Sequence, residues 1–394
     1  MPTVWIERTY ESLIRDPASP LGLFPVWLLL GPRQVGKSSL LRRLSAPDRQ
    51  VINLDDLETR SRATADAALF IRDFQGPLLV DEIQYAPQLL EVIKRRVDEG
   101  ASAGTFWLTG SQNFEVMQGV RESLAGRVAL LNLFGISDEE AKSDARTPSD
   151  QFERILETGF PKLRGVLEGA SRDLYISSYL QTYIERDVRE LVGIQKRRPF
   201  ELFVKMCALR TGQTLNYADL GRDAGVSAVT AKDWVSLLED SFLVKLVHPW
   251  FPNRNKRLVK SPRLYFLDAG LAAWLSGWRT VEQARLGPMA GALLETHAFG
   301  QIYRYYRHRA REVDVYYWRT RDGQEIDFLV DHGGTIQPVE VKTGLPDPRD
   351  LTPLGKLREP NWKHGVVMSL LPSSPTRLSE EWTARPFHDL SFLP

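Results

Sequence analysis

Residues 31–38 read Gly-Pro-Arg-Gln-Val-Gly-Lys-Ser, the pattern G-x-x-x-x-G-K-[ST], and they constrain the fold more than any other stretch of the chain. The apolar run at 26–30 predicts a buried strand before the pattern, and residues 39–44 predict a helix after it. Glycines at both ends let the backbone wrap around an anion, which successive N–H groups and the helix N-terminus attract. The sequence therefore predicts an α/β core with a phosphate-binding loop.

The residue types in this loop suit a nucleoside triphosphate. Lys37 is expected to reach the β- and γ-phosphates, and Ser38 to bind Mg²⁺. ATP and Mg²⁺ are therefore the predicted ligands. The alternative is a glycine turn between an ordinary strand and helix, which does not require the full spacing. The residues predicted to bind the nucleotide are Gly31, Pro32, Arg33, Gln34, Val35, Gly36, Lys37, Ser38 and Ser39, together with Ser111 from a later segment.

A second predicted strand, 77–80, ends in two adjacent carboxylates. Asp81 would hold Mg²⁺, directly or through a water. Glu82 points elsewhere and would polarise the attacking water. Adjacent carboxylates on a surface loop usually have no such role, but these follow four apolar residues and a phosphate-binding loop.

A third predicted strand, 105–109, leads into Ser111, Gln112 and Asn113. One of these three is expected to sense the γ-phosphate, and the sequence does not decide which. Arg127 follows and is a candidate arginine finger that acts in a neighbouring subunit. The alternative for Arg127 is a surface residue that caps a helix.

These segments carry a family resemblance. Residues 31–38, 80–84, 108–111 and 123–127 resemble the prokaryotic AAA-type ATPases that carry a C-terminal domain of unknown function. Four later blocks, 157–161, 183–188, 251–254 and 264–271, are similar to the blocks that define that C-terminal region. The resemblance implies an ATPase core, a winged-helix module and a nuclease-like end.

Composition favours an intracellular protein of two or three domains. The chain has 394 residues, of which 43% are hydrophobic, enough for several cores. Its one cysteine, Cys207, excludes an internal disulfide and a cysteine-rich zinc site. No apolar run is long enough to cross a bilayer, and the first residues do not resemble a signal peptide. We therefore expect a cytoplasmic protein without a membrane partner.

Charge is distributed unevenly although the net charge is only +1. Basic stretches lie at 196–198, 254–263 and 304–311, interleaved with aromatic residues. Each stretch alone is more simply read as a solvated face. Together they favour a phosphate-binding surface, and DNA is the expected partner.

The predicted fold class is α/β with four parts. Residues 1–135 form the P-loop AAA-type ATPase core. A linker and helical lid or bridge occupy 136–205, a winged helix-turn-helix 206–275, and a restriction-endonuclease-like α/β domain 285–394.

The helix-turn-helix prediction rests on residues 216–240. A short helix over 216–224 and a turn at 225–227 lead to a second helix over 228–240, with Ser227 as its N-cap. Four side chains are expected to pin the second helix to the core, and four to face a DNA groove, with a basic wing at 253–260. Protein contact is the alternative use of such a module. The inward set is Val229, Trp234, Leu237 and Leu238, and the outward set is Ser227, Thr230, Lys232 and Asp233.

The last part carries a nuclease-like pattern. A predicted helix over 288–306 holds Glu295, and the strands that follow hold Asp327 and then Glu340-Val341-Lys342. Two carboxylates on adjacent strands would hold Mg²⁺, the lysine would steer water or stabilise charge, and Glu295 would complete the metal shell or orient the lysine. The alternatives are a strand-end salt bridge and a fold that only binds DNA.

These predictions combine into an ATP-hydrolysing AAA-type protein that binds DNA and couples hydrolysis to DNA remodelling or translocation, with branched DNA among the candidate substrates. Because Arg127 would act in a neighbour, we expect a homo-oligomer, with a hexamer as one candidate size. Two alternatives stay open: an ATP-regulated, Mg²⁺-dependent nuclease, and a nucleotide-controlled signalling or defence switch that acts on a protein partner.

Overall fold

The computed structural model describes residues 5–111, 120, 123–143, 145, 147–166, 168–182, 197–251, 261–320, 322–356, 361–371 and 373–394. Gln112, Asn113, residues 183–188 and the predicted wing at 253–260 lie outside this part of the chain. The chain divides into two compact units. Unit 1 comprises residues 1–136 and 307–311, and unit 2 comprises residues 137–306 and 312–394.

Unit 1 contains a five-stranded sheet with helices between its strands. The order in the sheet is β2-β3-β4-β1-β5, and every pairing is parallel. The strands are β1 (Val26–Leu30), β2 (Gln50–Asn53), β3 (Leu78–Asp81), β4 (Phe106–Gly110) and β5 (Val128–Asn132). The helices are α1 (Thr9–Arg15), α2 (Lys37–Leu44), α3 (Leu57–Ala65), α4 (Ala67–Arg72) and α5 (Leu89–Asp98).

Local sequence explains why these helices begin where they do. The Asp56 carboxylate accepts a hydrogen bond from the Thr59 N–H at the start of α3, and Asp66 does the same for Leu69 in α4. Such caps satisfy donors that the first turn leaves unpaired. Apolar side chains from the strands and from α2 then form one buried cluster, which includes Leu29, Leu40 and Leu131. This packing holds the β1–α2 loop over the carboxyl edge of the sheet.

Unit 2 begins with helices. They are α6 (Pro148–Leu156), α7 (Ala170–Tyr179), α8 (Arg197–Leu209), α9 (Tyr217–Ala224), α10 (Ala228–Asp240), α11 (Ala269–Leu275), α12 (Val281–Leu286) and α13 (Ala290–Arg307). The turn between α9 and α10 is tight: a Cβ at Gly221 would lie 2.8 Å from the Val226 carbonyl oxygen. Ser227 caps α10 by accepting from the Thr230 N–H, as its sequence predicts.

The predicted orientation of α10 is wrong at one residue. Val229 was expected to face the core, but its side chain is 71% exposed. The buried face is instead formed by Ala231, Trp234, Val235 and Leu238, at spacings of three and four residues. Val229 lies about 140° around the helix from Trp234, because each residue advances the helix by about 100°. It therefore shares the outward face with Lys232 and Asp233.

An eight-stranded sheet follows in unit 2, in the order β12-β13-β11-β10-β9-β8-β6-β7. Strands β8, β9 and β10 pair antiparallel, whereas β10, β11 and β13 pair parallel. Because β6 pairs with β8, one sheet spans the parts predicted as winged helix and nuclease-like domain, and the limits at 206–275 and 285–394 stay predictions. The strands are β6 (Val244–Pro249), β7 (Arg263–Phe266), β8 (Asp314–Arg319), β9 (Glu325–His332), β10 (Thr335–Lys342), β11 (Gly365–Ser369), β12 (Thr376–Arg377) and β13 (Trp382–Pro386).

No helix within the described residues is long and apolar enough to cross a membrane.

Candidate nucleotide site

The β1–α2 loop has the backbone shape of an anion cradle. Gln34 and Gly36 both have positive φ, 64° and 97°. Changes between right- and left-handed backbone turn successive N–H groups toward one point, the geometry that binds phosphate. Gly31 is required because a Cβ there would lie 1.9 Å from the Leu133 carbonyl oxygen. The loop therefore fits the phosphates of a nucleotide.

Lys37 lies inside this loop. Its Nζ donates to the carbonyl oxygens of Gly31 and Pro32, each at 2.9 Å. The pKa of Lys37 is lowered to about 8, mainly by burial and to a smaller extent by the charge of Arg33, while Glu82 and Asp81 oppose the shift. A buried ammonium whose acceptors among the described residues are neutral carbonyl oxygens gains much from a bound phosphate.

Another arginine, Arg8, contacts the loop through its side chain. Arg8 is buried, and its guanidinium donates to the carbonyl oxygens of Val35 at 2.9 Å and Phe134 at 2.7 Å. This contact links the loop to the segment that follows β5. The loop is thus supported before any ligand binds.

Asp81 lies at the carboxyl end of β3, beside the loop. Its Oδ1 accepts hydrogen bonds from the Ser38 hydroxyl at 2.6 Å and the Thr109 hydroxyl at 2.5 Å. Arg42 contacts the other oxygen, with Nη2 at 3.2 Å.

Hard oxygen donors such as the Ser38 hydroxyl and the Asp81 carboxylate suit Mg²⁺, which usually keeps water and phosphate ligands as well. Within the described chain no group of three or more His, Cys, Asp or Glu residues is arranged to hold a metal.

Glu82, the predicted water-activating residue, adopts an uncommon conformation. Its φ is 59°, in the left-handed region, and its N–H donates to the Thr109 hydroxyl at 3.0 Å. Its Oε2 accepts from the Gln84 amide and from the Ser111 hydroxyl, the latter at 3.1 Å. Non-glycine residues in this region are often found at functional sites. Of the three candidate sensors, Ser111 thus lies beside Glu82.

The sequence reasoning missed several residues that complete this edge. Thr109 bonds both Asp81 and Glu82, and Gln84 bonds Glu82 and Ser111. Asp55 follows β2, whose Asn53 pairs with Asp81. Burial raises the pKa of Asp55, and so does the charge of Glu82, while Arg33 lowers it. Their position in the sequence could have identified them, because each lies near the end of a parallel strand or shortly after one.

Arg127 lies at the opposite edge of the same sheet. Its carbonyl accepts from the Val26 N–H, at the start of β1, whereas the phosphate-binding loop follows the end of β1. Five residues of strand separate the two edges, about 17 Å. Its Nε contacts the Asp98 carboxylate at 2.7 Å on the surface. Arg127 therefore cannot serve its own loop.

Unit 2 contains the nuclease-like residues in one cluster. Asp327 accepts a hydrogen bond from the Val341 N–H at 2.8 Å, next to Glu340 in β10, and Lys342 donates to Glu340 at 2.8 Å. Burial raises the pKa of both carboxyl groups, and the charge of Asp327 raises that of Glu340 well above its usual range. The structure therefore brings Asp327, Glu340 and Lys342 together, as the sequence predicts.

Glu295 joins this cluster from α13. The Tyr265 hydroxyl donates to its carboxylate, and Arg263 approaches it at 3.4 Å. Burial raises the pKa of Glu295 to about 8, and the charge of Asp327 contributes, while Tyr265 and Arg263 oppose the shift. Glu295 is thus near Asp327 but bonded to β7.

The cradle at 31–38, the carboxylates that end β3 and the all-parallel sheet define a P-loop nucleotide-binding protein of the AAA type. Three family models match the chain: an AAA domain over 24–142, a domain of unknown function (DUF8612) over 149–282, and another (DUF4143) over 290–381. Two relatives are 31% identical over 323 residues, which cover 81% of this chain and 70% of each relative. They are uncharacterized protein Mb2031c of Mycobacterium bovis and uncharacterized protein Rv2008c of Mycobacterium tuberculosis. The chain belongs to this family of ATP-binding AAA-type proteins with C-terminal domains of unknown function, which confirms the resemblance seen in its sequence.

Two solved structures show remote similarity. A chain from "Structural Basis for Katanin Self-Assembly" is 13% identical with a TM-score of 0.22, and covers 57% of this chain and 82% of that one. The Bacillus subtilis DNA clamp loader delta protein is 12% identical with a TM-score of 0.22, and covers 73% and 98%. Scores this low carry no argument about fold or function.

Proposed function

We propose that this chain hydrolyses ATP at residues 31–38, Asp81 and Glu82, and uses hydrolysis to remodel or move along DNA. The observation that supports ATP hydrolysis is the grouping of side chains at the carboxyl edge of the sheet in unit 1. There the loop N–H groups, Lys37, the Ser38–Asp81 pair and Glu82 all meet. Phosphoryl transfer requires little more than such positioning and charge.

Each residue has a defined task in this proposal. Lys37 and the loop N–H groups bind the β- and γ-phosphates, and Ser38 and Asp81 hold Mg²⁺. When bound, Mg²⁺ neutralises the charge that develops on the phosphate oxygens. Glu82 orients and polarises the attacking water. Thr109 and Ser111 hold Asp81 and Glu82 in place through the hydrogen bonds described above.

Oligomer formation follows from the position of Arg127. Since it lies about 17 Å from its own loop, a finger role needs the site of another copy. Its contact with Asp98 lies on the surface, where exposed ion pairs are weak, so Arg127 is available to a neighbour. We propose a homo-oligomer, with a hexamer as one size to test.

DNA contact is supported by the outward face of α10. Ser227, Val229, Lys232 and Asp233 are exposed there, and Trp234 and Leu238 anchor the opposite face. A helix-turn-helix presents its second helix to the major groove in this way. An exposed Val229 adds an apolar contact suited to a thymine methyl group.

The test is ATP turnover by the full chain with Mg²⁺, with and without double-stranded, single-stranded and branched DNA. We expect turnover that DNA raises, and loss of nucleotide binding in Lys37→Met. The matched control is Lys94→Met, a lysine on α5 outside the loop. Turnover indifferent to every DNA and to protein concentration would contradict DNA coupling and favour a switch that acts on a protein.

A second candidate function, Mg²⁺-dependent DNA cleavage, is favoured by the cluster of Asp327, Glu340 and Lys342. Paired buried carboxylates beside a lysine suit a metal and a phosphate better than a structural salt bridge, which would not need the second acid. DNA integrity in the same reactions tests it. Cleavage that Asp327→Ala abolishes and Glu82→Gln spares would support a nuclease, and uncut DNA in wild-type reactions would exclude one.

A further inference from the structure

Arg33 is the third residue of the phosphate-binding loop, and its side chain connects the loop to the segment after β3. The Nη2 of Arg33 donates to the Tyr85 hydroxyl at 2.8 Å. Tyr85 ends the short helical turn Ile83–Tyr85, which begins one residue after Glu82. One contact thus joins the loop that binds phosphate to the segment that holds the proposed water-activating carboxylate.

Tyr85 is itself held by a second arginine. The Arg60 guanidinium lies over the Tyr85 ring, 3.8 Å from its centroid, and its Nε donates to the Leu54 carbonyl at 2.9 Å. A cation over a tyrosine face is attracted by the electrons of the ring. The ring is therefore fixed between α3 and the loop, and its hydroxyl is aimed at Arg33.

The charge of Arg33 acts on the residues that surround the terminal phosphate. It lowers the pKa of Lys37, whose shift is mainly due to burial, and it also lowers that of Asp55, which the charge of Glu82 raises. Contacts agree with this, because Lys37 Nζ donates to the carbonyl oxygen of Pro32, the residue before Arg33, and Arg33 itself contacts Tyr85, three residues after Glu82. A γ-phosphate would lie in the same neighbourhood.

We propose that Arg33 contacts the γ-phosphate of ATP within its own subunit and stabilises the charge of the transferring phosphoryl group, with Tyr85 as a positioning residue. This inference rests on the proposed ATPase function. A guanidinium has five N–H donors in a planar fork that suits phosphate oxygens, and one of them holds Tyr85. Each subunit then has an arginine of its own, and Arg127 of a neighbour adds a second.

The step transfers the γ-phosphoryl group from ATP to water, and ADP is the leaving group. The bond between the β–γ bridging oxygen and the γ-phosphorus breaks, its electrons stay with ADP, and a bond from the water oxygen to phosphorus forms. The water proton leaves toward Glu82. Arg33 takes no proton, because its guanidinium remains charged throughout.

The experiment compares affinities for ATPγS and ADP, and kcat, in wild type, Arg33→Ala, Arg33→Lys and Tyr85→Phe. Arg33→Ala should weaken ATPγS binding by about tenfold and ADP binding by less than about twofold, because only ATPγS has a γ-phosphate. We expect kcat to fall by about 100-fold, with partial recovery in Arg33→Lys. Tyr85→Phe keeps the ring and should lower kcat by roughly threefold to tenfold while ADP binding is unchanged.

Arg62→Ala is the control, since Arg62 lies on α3 like Arg60 but contacts Asp73 and the Phe70 ring, at an exposed position. Equal loss of ATPγS and ADP affinity in Arg33→Ala would show a structural role and overturn the inference, and so would unchanged affinities and kcat. If wild type binds neither nucleotide, the proposed function fails as well. If wild type hydrolyses ATP while Arg33→Ala keeps both the affinity ratio and kcat, only the Arg33 inference fails.

Discussion

Asp81 shows how much of the site depends on one side chain. Three side chains bond its two oxygens: Ser38 at the end of the loop, Arg42 one turn later in α2, and Thr109 on β4. A carboxylate held this way is oriented before Mg²⁺ binds, which reduces the entropy lost on binding.

Thr109 is the residue whose role is most easily isolated. Thr109→Val keeps the shape but removes the hydroxyl that donates to Asp81 and accepts from Glu82. We expect kcat to fall by about tenfold, because the partly buried Glu82 N–H loses its acceptor and Asp81, the proposed Mg²⁺ ligand, loses a hydrogen-bond donor. Steady-state ATPase assays measure this change.

Thr105→Val is the matched control, because the Thr105 hydroxyl bonds only the Ser102 carbonyl among the contacts described. The account of Thr109 is wrong if both variants lose the same small fraction of activity.

At the scale of elements, the sequence predicts what local chemistry determines. The strand before Gly31, the start of α10 at Ser227 and the strand that carries Asp327 all follow from short patterns and were predicted. The outward position of Val229 was not predicted. An apolar residue near the start of a helix can face either the core or the solvent, and the packing of the whole fold decides between them. Thr109 and Asp55 were missed because they lie far from Asp81 in the sequence. The order of the parallel strands in the sheet brings them near it.

The exposed face of α10 gives a prediction for DNA binding. Lys232→Ala removes one positive charge from this face without touching the buried side chains. If Lys232 contacts a phosphate, DNA affinity falls roughly fivefold and the salt dependence of binding decreases by about one ion. Fluorescence anisotropy at several salt concentrations measures both.

Lys162→Ala is the comparison for this experiment, because Lys162 is exposed on a different element. Equal effects of the two substitutions would indicate non-specific attraction only.

Helix α8 contains Cys207, the single cysteine of the chain, and its ionisation makes the free energy of unfolding depend on pH. Cys207 is fully buried, and burial raises its pKa well above the ordinary value of 9.0. As pH rises through 9.0 the unfolded chain releases the thiol proton while the folded chain keeps it, so this group lowers the free energy of unfolding. Between pH 8 and pH 10 we expect wild type to lose about 1.4 kcal/mol more than Cys207→Ala.

Urea denaturation at the two pH values measures the difference. Equal pH dependence in both proteins would mean that Cys207 is accessible in the folded state.

At the scale of the whole molecule, the two units divide the proposed work. Unit 1 holds the nucleotide site, and unit 2 holds α10 and the cluster of Asp327, Glu340 and Lys342. Coupling between ATP hydrolysis in unit 1 and DNA contact in unit 2 would be a property of the whole protein rather than of any single element.

Arg127 and Glu82 allow the assembly to be tested by mixing. Arg127→Ala and Glu82→Gln should each have little ATPase activity alone. In mixed oligomers an Arg127 from one variant meets a Glu82 from the other, so some sites are intact and activity returns. The measurement is turnover across mixing ratios, with Arg62→Ala plus Glu82→Gln as the control mixture. If Arg127→Ala alone retains wild-type turnover, the finger role is wrong.

The most direct test of the central claim is ATP turnover by Glu82→Gln and wild type, measured together with ATP affinity. Glutamine keeps the size of the side chain and one acceptor oxygen but cannot polarise water as a carboxylate does. We predict wild-type turnover that DNA stimulates, and a variant that binds ATP normally but turns over at least about 100-fold more slowly. Equal turnover in the two proteins would contradict the assignment of this site.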